Sequence, residues 1–192
     1  GPVTIYLSDN GLTGALYSYG IAGVSNVTDR ALGSTSSGTP VTLAYGVRLA
    51  NDTAATITNL SITYTGEQWR NGGNTAAQPL VFSYRTSSSP ITDADAGNAN
   101  TWISFPSLNF TTPTVGAASA TLDGNAATNR QQFVNVVLTG VSVGPGQEIF
   151  LRLSDINDVG NDHGFGIDDL TVNFNSGVTN PPAAPLFLTQ PQ

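Results

Sequence analysis

The clearest constraint on the fold is a run of alternating apolar residues in the first third of the chain. Val41, Leu43, Tyr45, Val47 and Leu49 occupy every second position, which is the side-chain period of a β-strand with one buried face. The same period recurs in four shorter runs: Leu60, Ile62 and Tyr64; Leu80, Phe82 and Tyr84; Val134, Val136 and Leu138; and Ile149, Leu151 and Leu153. Gly, Pro, Asn and Asp lie between these runs, as expected of turns that connect antiparallel strands.

Helices are expected to be nearly absent, because no window repeats apolar residues with the 3.6-residue period of an amphipathic helix. The chain is 39% hydrophobic and only 10% charged, and its apolar residues are mostly β-branched, leucine or aromatic. This composition is typical of strands and turns. The sequence therefore predicts one all-β domain over residues 3–175, an antiparallel β-sandwich of jelly-roll type.

The segment 176–192 has a different character from the rest of the chain. Its high proline content predicts an extended tail or linker, yet Leu186, Phe187 and Leu188 are more apolar than a linker requires. An extended apolar segment can add a strand to an open sheet edge of another molecule. Two interpretations therefore stand for this tail: a linker, or a strand donated to a second copy of the chain.

Charge and hydropathy exclude two classes of partner. The formal net charge is −7, and six arginines are the only basic side chains apart from one histidine, whereas nucleic-acid binding requires clustered positive charge. We expect no nucleic-acid binding. No apolar stretch reaches the length needed to span a bilayer, so we also expect no membrane insertion.

An acidic loop near the C-terminal end of the chain is the best candidate for a metal site. Five of thirteen acidic residues lie between Asp155 and Asp169, and oxygen-rich loops suit Ca²⁺. If the strands on either side of the loop pair as a hairpin, one structural Ca²⁺ is expected to bind Asp155, Asn157, Asp158, Asp162 and Asp168. The alternative is that these side chains cap turns through local backbone hydrogen bonds.

The parity of the apolar residues changes within this region. Phe165 and Ile167 have odd numbers, whereas Leu170, Val172 and Phe174 have even numbers. One extra residue therefore lies at Asp168 and Asp169, which predicts a β-bulge that re-aims one carboxylate.

A second candidate site follows the strand that contains Tyr64. The loop carries Glu67, Gln68, Trp69 and Arg70, and an aromatic ring with polar neighbours is suited to binding sugar rings. These residues, with Trp102 as a weaker member, are the predicted ligand-binding set for a polysaccharide or surface glycan. The alternative is that Trp69 packs in the core while Glu67 pairs with an arginine.

Catalysis is not expected. His163 is the only histidine and lies among the predicted metal ligands, so a nucleophilic triad lacks its base. The only glutamates, Glu67 and Glu148, do not lie in an alternating acidic motif on one strand face, as a pair for glycoside hydrolysis would.

Three segments carry a resemblance to a known family: DRALGSTSSG at 29–38, YTGEQWRNGG at 64–73 and LRLSDINDVGNDHGFGIDDLTV at 151–172. Together they resemble a secreted bacterial β-sandwich domain of large surface or exported proteins, found before PEP-CTERM-type sorting tails or joined to extracellular nucleases. The GIDDL sequence is also similar to the last strand of calcium-containing carbohydrate-binding modules and MAM-type adhesion domains. That similarity implies Asp168 as a calcium ligand.

The resemblance implies an extracellular or cell-surface location on a bacterium. The leading hypothesis is therefore a calcium-stabilised, non-catalytic module for glycan binding or adhesion. The alternative is a structural subunit of an extracellular filament or matrix, assembled with other copies by β-strand donation. Related domains also have an N-terminal strand before the position of Val3, so the resemblance implies that this sheet lacks a strand.

Overall fold

A computed structural model describes residues 10–21, 28–94 and 101–174 of the chain. The strands in this part are β1 (Ala15–Tyr19), β2 (Ala31–Thr35), β3 (Thr42–Ala50), β4 (Leu60–Asn71), β5 (Pro79–Ser87), β6 (Ile103–Ser104), β7 (Phe110–Thr111), β8 (Ala120–Thr121), β9 (Arg130–Leu138), β10 (Glu148–Ile156) and β11 (Gly164–Phe174). Among the described residues, the only helical segments are the short 3₁₀ turns Pro106–Leu108 and Ala127–Asn129. The all-β prediction is therefore confirmed.

The strands form two antiparallel sheets that stack as a sandwich. Sheet A has the order β1-β2-β11-β4-β8, and β9 also pairs with β4. Sheet B has the order β3-β10-β5-β6, and β7 also pairs with β5. The tail 176–192, including Leu186, Phe187 and Leu188, lies outside the described residues.

The main core lies between the two sheets and is built from the alternating residues of the sequence. Ile62 and Tyr64 of β4 and Leu151 of β10 are buried there, and the Tyr64 ring stacks on Phe133 with centroids 4.5 Å apart. Burial of one large apolar side chain of this kind stabilises the fold by about 1.5 to 3 kcal/mol. The predicted strand period is the period of the core in β4, β5 and β10, whereas Val41 and Val134, the first residues of two predicted runs, are 56% and 63% exposed.

The expected hairpin between the strands on either side of the acidic loop does not form. β10 pairs with β3 and β5 in sheet B, whereas β11 pairs with β2 and β4 in sheet A. Both strands are internal to their sheets, so each has its hydrogen bonds satisfied by other strands. The loop between them crosses from one sheet to the other.

The predicted β-bulge in β11 is confirmed. The register with β4 shifts between Asp168 and Thr171, and Asp169 has a positive φ of 54°. The extra residue returns Val172 to the inward face, where it packs against the core. The change of parity in the sequence therefore marked a real irregularity of the strand.

Candidate functional site

Trp69 does not form an open platform for sugars. Its side chain is only 2% exposed and stacks on Tyr19 with ring centroids 5.9 Å apart. The backbones of Gly124 and Gly166 lie so close that an added Cβ would meet the indole ring at 2.4 Å and 2.8 Å. The predicted glycan platform is wrong at this residue, because Trp69 lies within β4 and not in a loop, and Tyr19, Gly124 and Gly166 pack against its ring.

The polar neighbours of Trp69 are also structural. The Gln68 amide is fully buried and makes two hydrogen bonds with the backbone of Thr114, at 2.7 and 2.8 Å. The half-buried Arg70 donates to the carbonyl of Asn10 at 3.4 Å. These side chains tie sheet A to the loops beside it, so they are not arranged around an open ligand site.

Trp102 lies apart from Trp69, against the outer face of sheet B. It is 8% exposed, meets Phe150 edge to face at 5.5 Å, and the guanidinium of Arg152 lies 4.1 Å from its ring centroid. A cation over an indole face is a favourable contact, and it occupies the face that a sugar would use. Trp102 and Trp69 therefore do not form one binding surface.

Glu67 is the buried carboxyl of what we call the sheet A acidic cluster, which consists of Asp29, Glu67 and Asp168. The Trp69 indole N–H donates to Glu67 Oε2 at 2.9 Å. Arg130 faces Glu67 in the register of β4 with β9, so the arginine considered from the sequence acts on this carboxyl through its charge. Burial, with smaller contributions from the charges of Asp168 and Asp29, raises the pKa of Glu67 to about 7, against the lowering effects of the Trp69 hydrogen bond and the Arg130 charge.

Asp168 belongs to this sheet A acidic cluster and is separate from the loop before β11. It faces Thr65 of β4 in the register. Its pKa is raised by burial and by the neighbouring charges of Asp169 and Asp29. Sequence reasoning did not assign a role to Asp29, because its proximity to Asp168 depends on the pairing of β2 with β11.

The loop acidic cluster consists of Asp155, Asp158 and Asp162. Asp155 is 1% exposed, and its Oδ1 accepts a hydrogen bond from the Ser36 hydroxyl at 2.8 Å. Burial, with the charge of Asp162, raises the pKa of Asp155 to about 6, against the lowering effect of hydrogen bonds from Ser34 and Ser36. Asp162 Oδ1 caps the loop by accepting the backbone N–H of Asp158 at 2.8 Å.

The calcium site predicted from the sequence does not form as a single set of ligands. Asp162 lies near both Asp155 and Asp158, and Asn157 donates its backbone N–H to Val41 at 2.8 Å. Asp168 lies in the other cluster because β11 is in the other sheet. Among residues 10–21, 28–94 and 101–174, no group of three His, Cys, Asp or Glu side chains is arranged to hold a metal ion.

His163 holds the acidic loop against the strand β4 and the turn that follows it. Its ring is fully buried, Nδ1 accepts the Gly72 N–H at 3.1 Å, and Nε2 lies 3.1 Å from the carbonyl of Ala76, to which it donates. Its backbone N–H donates to Gln78 Oε1 at 2.7 Å. Burial lowers the pKa of His163, so the neutral ring acts as a clamp with both nitrogens engaged.

The described part of the chain contains no helix that is long and apolar enough to cross a membrane. Comparison with protein-family models, curated proteins and solved structures finds no match.

Proposed function

We propose that the chain is a non-catalytic module at a bacterial cell surface, and that it assembles with other copies by strand addition at the open edge of β3. The observation that carries this proposal is the regularity of that edge. Over its full length, β3 pairs with β10 without a register shift, and it has no other strand partner among the described residues. An unpaired strand edge is a template for another extended chain.

The direction of the β3 backbone groups follows from two hydrogen bonds at the ends of the ladder. The Asn51 N–H donates to Gln147 at 2.9 Å and the Asn157 N–H donates to Val41 at 2.8 Å. Both pairs continue the register of β3 with β10. In an antiparallel ladder, hydrogen-bonded and non-hydrogen-bonded pairs alternate, so the odd-numbered residues of β3 bond to β10.

The even-numbered residues of β3 therefore direct their N–H and C=O groups away from β10, toward the open edge. These residues are Thr42, Ala44, Gly46, Arg48 and Ala50. Their side chains lie on the outer face of sheet B, so an added strand bonds to the backbone without disturbing the core.

The other long edge is less suited to strand addition. β9 is an edge strand of sheet A, but Asn135 has a positive φ of 51° and the register with β4 shifts beside it. A bulge of this kind blunts a sheet edge. β1 is a short edge strand of five residues. These differences favour β3 as the site of assembly.

The proposed occupant is the apolar segment 185–189 of a neighbouring copy. This segment lies outside the described residues. Its choice as the occupant rests on the sequence, in which Leu186 and Leu188 occupy alternate positions, as in a strand with one apolar face. Polysaccharide binding is not retained in the proposal, because Trp69 and Trp102 are both buried. The absence of catalysis is supported by His163, whose ring nitrogens both have structural partners.

A proline at position 44 tests this proposal. Ala44→Pro removes an N–H that points to the open edge, so the ladder with β10 keeps its bonds while an added strand loses one. We expect the dissociation constant of the assembly to rise roughly ten-fold or more. Ala44→Val keeps the N–H and serves as the matched control.

The measurement is light scattering over a range of protein concentrations, with circular dichroism to check that each variant is folded. Deletion of residues 185–189 should abolish assembly while the β-sandwich itself stays folded. The proposal is contradicted by a wild-type chain that is monomeric at all concentrations, or by a folded Ala44→Pro variant that assembles as well as Ala44→Val.

A further inference from the structure

One buried oxygen of the loop acidic cluster has no hydrogen-bond partner in the part of the chain that the structure describes. The Asp155 carboxyl lies at the end of β10, and its Oδ2 atom is fully buried without a hydrogen bond. Its other oxygen, Oδ1, accepts a hydrogen bond from the Ser36 hydroxyl. A buried carboxylate oxygen without a donor is costly, because it has lost the water that solvated it.

Among the described residues, no positive charge acts on the Asp155 carboxyl. Hydrogen bonds from Ser34 and Ser36 lower its pKa, whereas the charge of Asp162 raises it. The Ser36 hydroxyl also hydrogen-bonds with Asp162 and lowers the pKa of that carboxyl. A hydroxyl has one proton, so it cannot donate to both carboxylates at once.

Turn capping explains Asp162 Oδ1 but leaves Asp155 Oδ2 unexplained. The loop itself is held by neutral groups: the Asn74 amide donates to the carbonyls of Val159 and Asn161, both at 2.9 Å, and Gln78 donates to Asn161 at 3.0 Å. Of the two carboxylates, only Asp162 Oδ1 takes part in closing the loop, so the position of Asp155 beside Asp162 is not explained by loop closure.

We propose that Asp155 Oδ2 and the Asp162 carboxylate bind one Ca²⁺ ion, with oxygen atoms of Ser36 and the 156–162 loop as neutral ligands. Ca²⁺ accepts carboxylates, hydroxyls, carbonyls and water in flexible geometry. A set with only two carboxylates agrees with the lack of a three-carboxylate metal group among the described residues. It corresponds to weak binding, with a dissociation constant of about 0.1 to 1 mM, as in extracellular modules.

The site differs from the one predicted from the sequence, because it excludes Asp168. That difference provides a matched control. Asp155→Asn and Asp162→Asn each remove one charge of the proposed pair, whereas Asp168→Asn removes one charge of the sheet A acidic cluster.

The test is a calcium titration of the full chain after treatment with EDTA and a chelating resin. Thermal unfolding reports stability. Terbium luminescence reports binding directly, sensitised by Tyr45, which lies on the strand paired with β10 and is close enough for the charge of Asp155 to act on it. We expect 10 mM calcium to raise the Tm of the wild type and of Asp168→Asn by roughly 4 to 8 °C. Neither Asp155→Asn nor Asp162→Asn should show the shift.

Asp155→Asn should also be at least as stable as the wild type without calcium, since it removes an uncompensated charge. If that variant does not fold, Asp162→Asn still decides the result because Asp162 is only half-buried. The proposal is overturned if calcium leaves the wild-type melting curve unchanged, if Asp162→Asn keeps the full shift, or if Asp168→Asn alone loses it. If calcium leaves the wild-type melting curve unchanged, a proton on Asp155 Oδ2 takes the place of the proposed ion.

Discussion

Replacing Glu67 by glutamine removes one buried carboxyl charge and keeps an oxygen that can accept the Trp69 indole N–H. The folded-state pKa of about 7 lies above the ordinary value of 4.5. Between these two pH values the folded chain binds more protons than the unfolded chain, so the free energy of unfolding falls as the pH rises. The stabilising contribution is complete below pH 4.5 and is lost once the pH passes 7.

The size of the effect follows from the same two pKa values. The difference corresponds to on the order of 3 kcal/mol of stability that the wild type loses between pH 4.5 and pH 8. Glu67→Gln resembles the protonated side chain at every pH. We therefore expect the two proteins to be equally stable near pH 4.5, and the variant to be more stable by on the order of 2 to 3 kcal/mol at pH 8.

Urea unfolding at several pH values, followed by tryptophan fluorescence, measures this difference. Glu148→Gln is the control, because it removes the only other glutamate, whose carboxylate lies 3.8 Å from Arg48 in an ion pair. That variant should not gain stability at pH 8. Parallel stability curves for the wild type and Glu67→Gln would refute the reasoning, since the burial of the Glu67 carboxyl would then have no energetic consequence.

Two further substitutions test the clamp and the bulge. His163→Leu leaves the buried Gly72 N–H without its acceptor and should lower the free energy of unfolding by about 1 to 3 kcal/mol in urea unfolding. Val159→Ala, at an exposed position of the same loop, should change it by less than about 0.5 kcal/mol. Because Asp169 has a positive φ, the melting temperature should be highest with Gly at this position, lower with Asp and lowest with Ala. The alanine variant should be about 1 kcal/mol less stable than the wild type. A more stable alanine variant would contradict the αL conformation of Asp169.

Local patterns in the sequence predicted the features that depend on neighbouring residues. The alternation in β3 and β10 defines their inward faces, and the change of parity at Asp168 and Asp169 gave the bulge of β11. The predicted run in β9 is wrong at Val134, because this strand contains a similar change of parity. Phe133 and Val136 face the core, whereas Val134 is 63% exposed, because the bulge at Asn135 moves it to the other face.

Features that depend on distant pairings could not be predicted in this way. Asp155 and Ser36 are 119 positions apart, so no local pattern brings them together. The residues around Trp69 have the composition of an exposed aromatic loop. The backbone at Gly124, which is distant in the sequence, nevertheless covers the indole ring. The sheet to which each strand belongs decides both outcomes, and alternation alone does not encode that choice.

Residue-resolved amide hydrogen exchange on β3 tests assembly by strand addition most directly. The rates of the outward-facing N–H groups, such as those of Ala44 and Arg48, should be compared between dilute monomer and concentrated assembly. We predict that they exchange rapidly in the monomer and at least ten-fold more slowly in the assembly, while the odd-numbered residues are protected in both states. Equal rates for Ala44 and Arg48 in the two states would contradict the proposed role of the β3 edge.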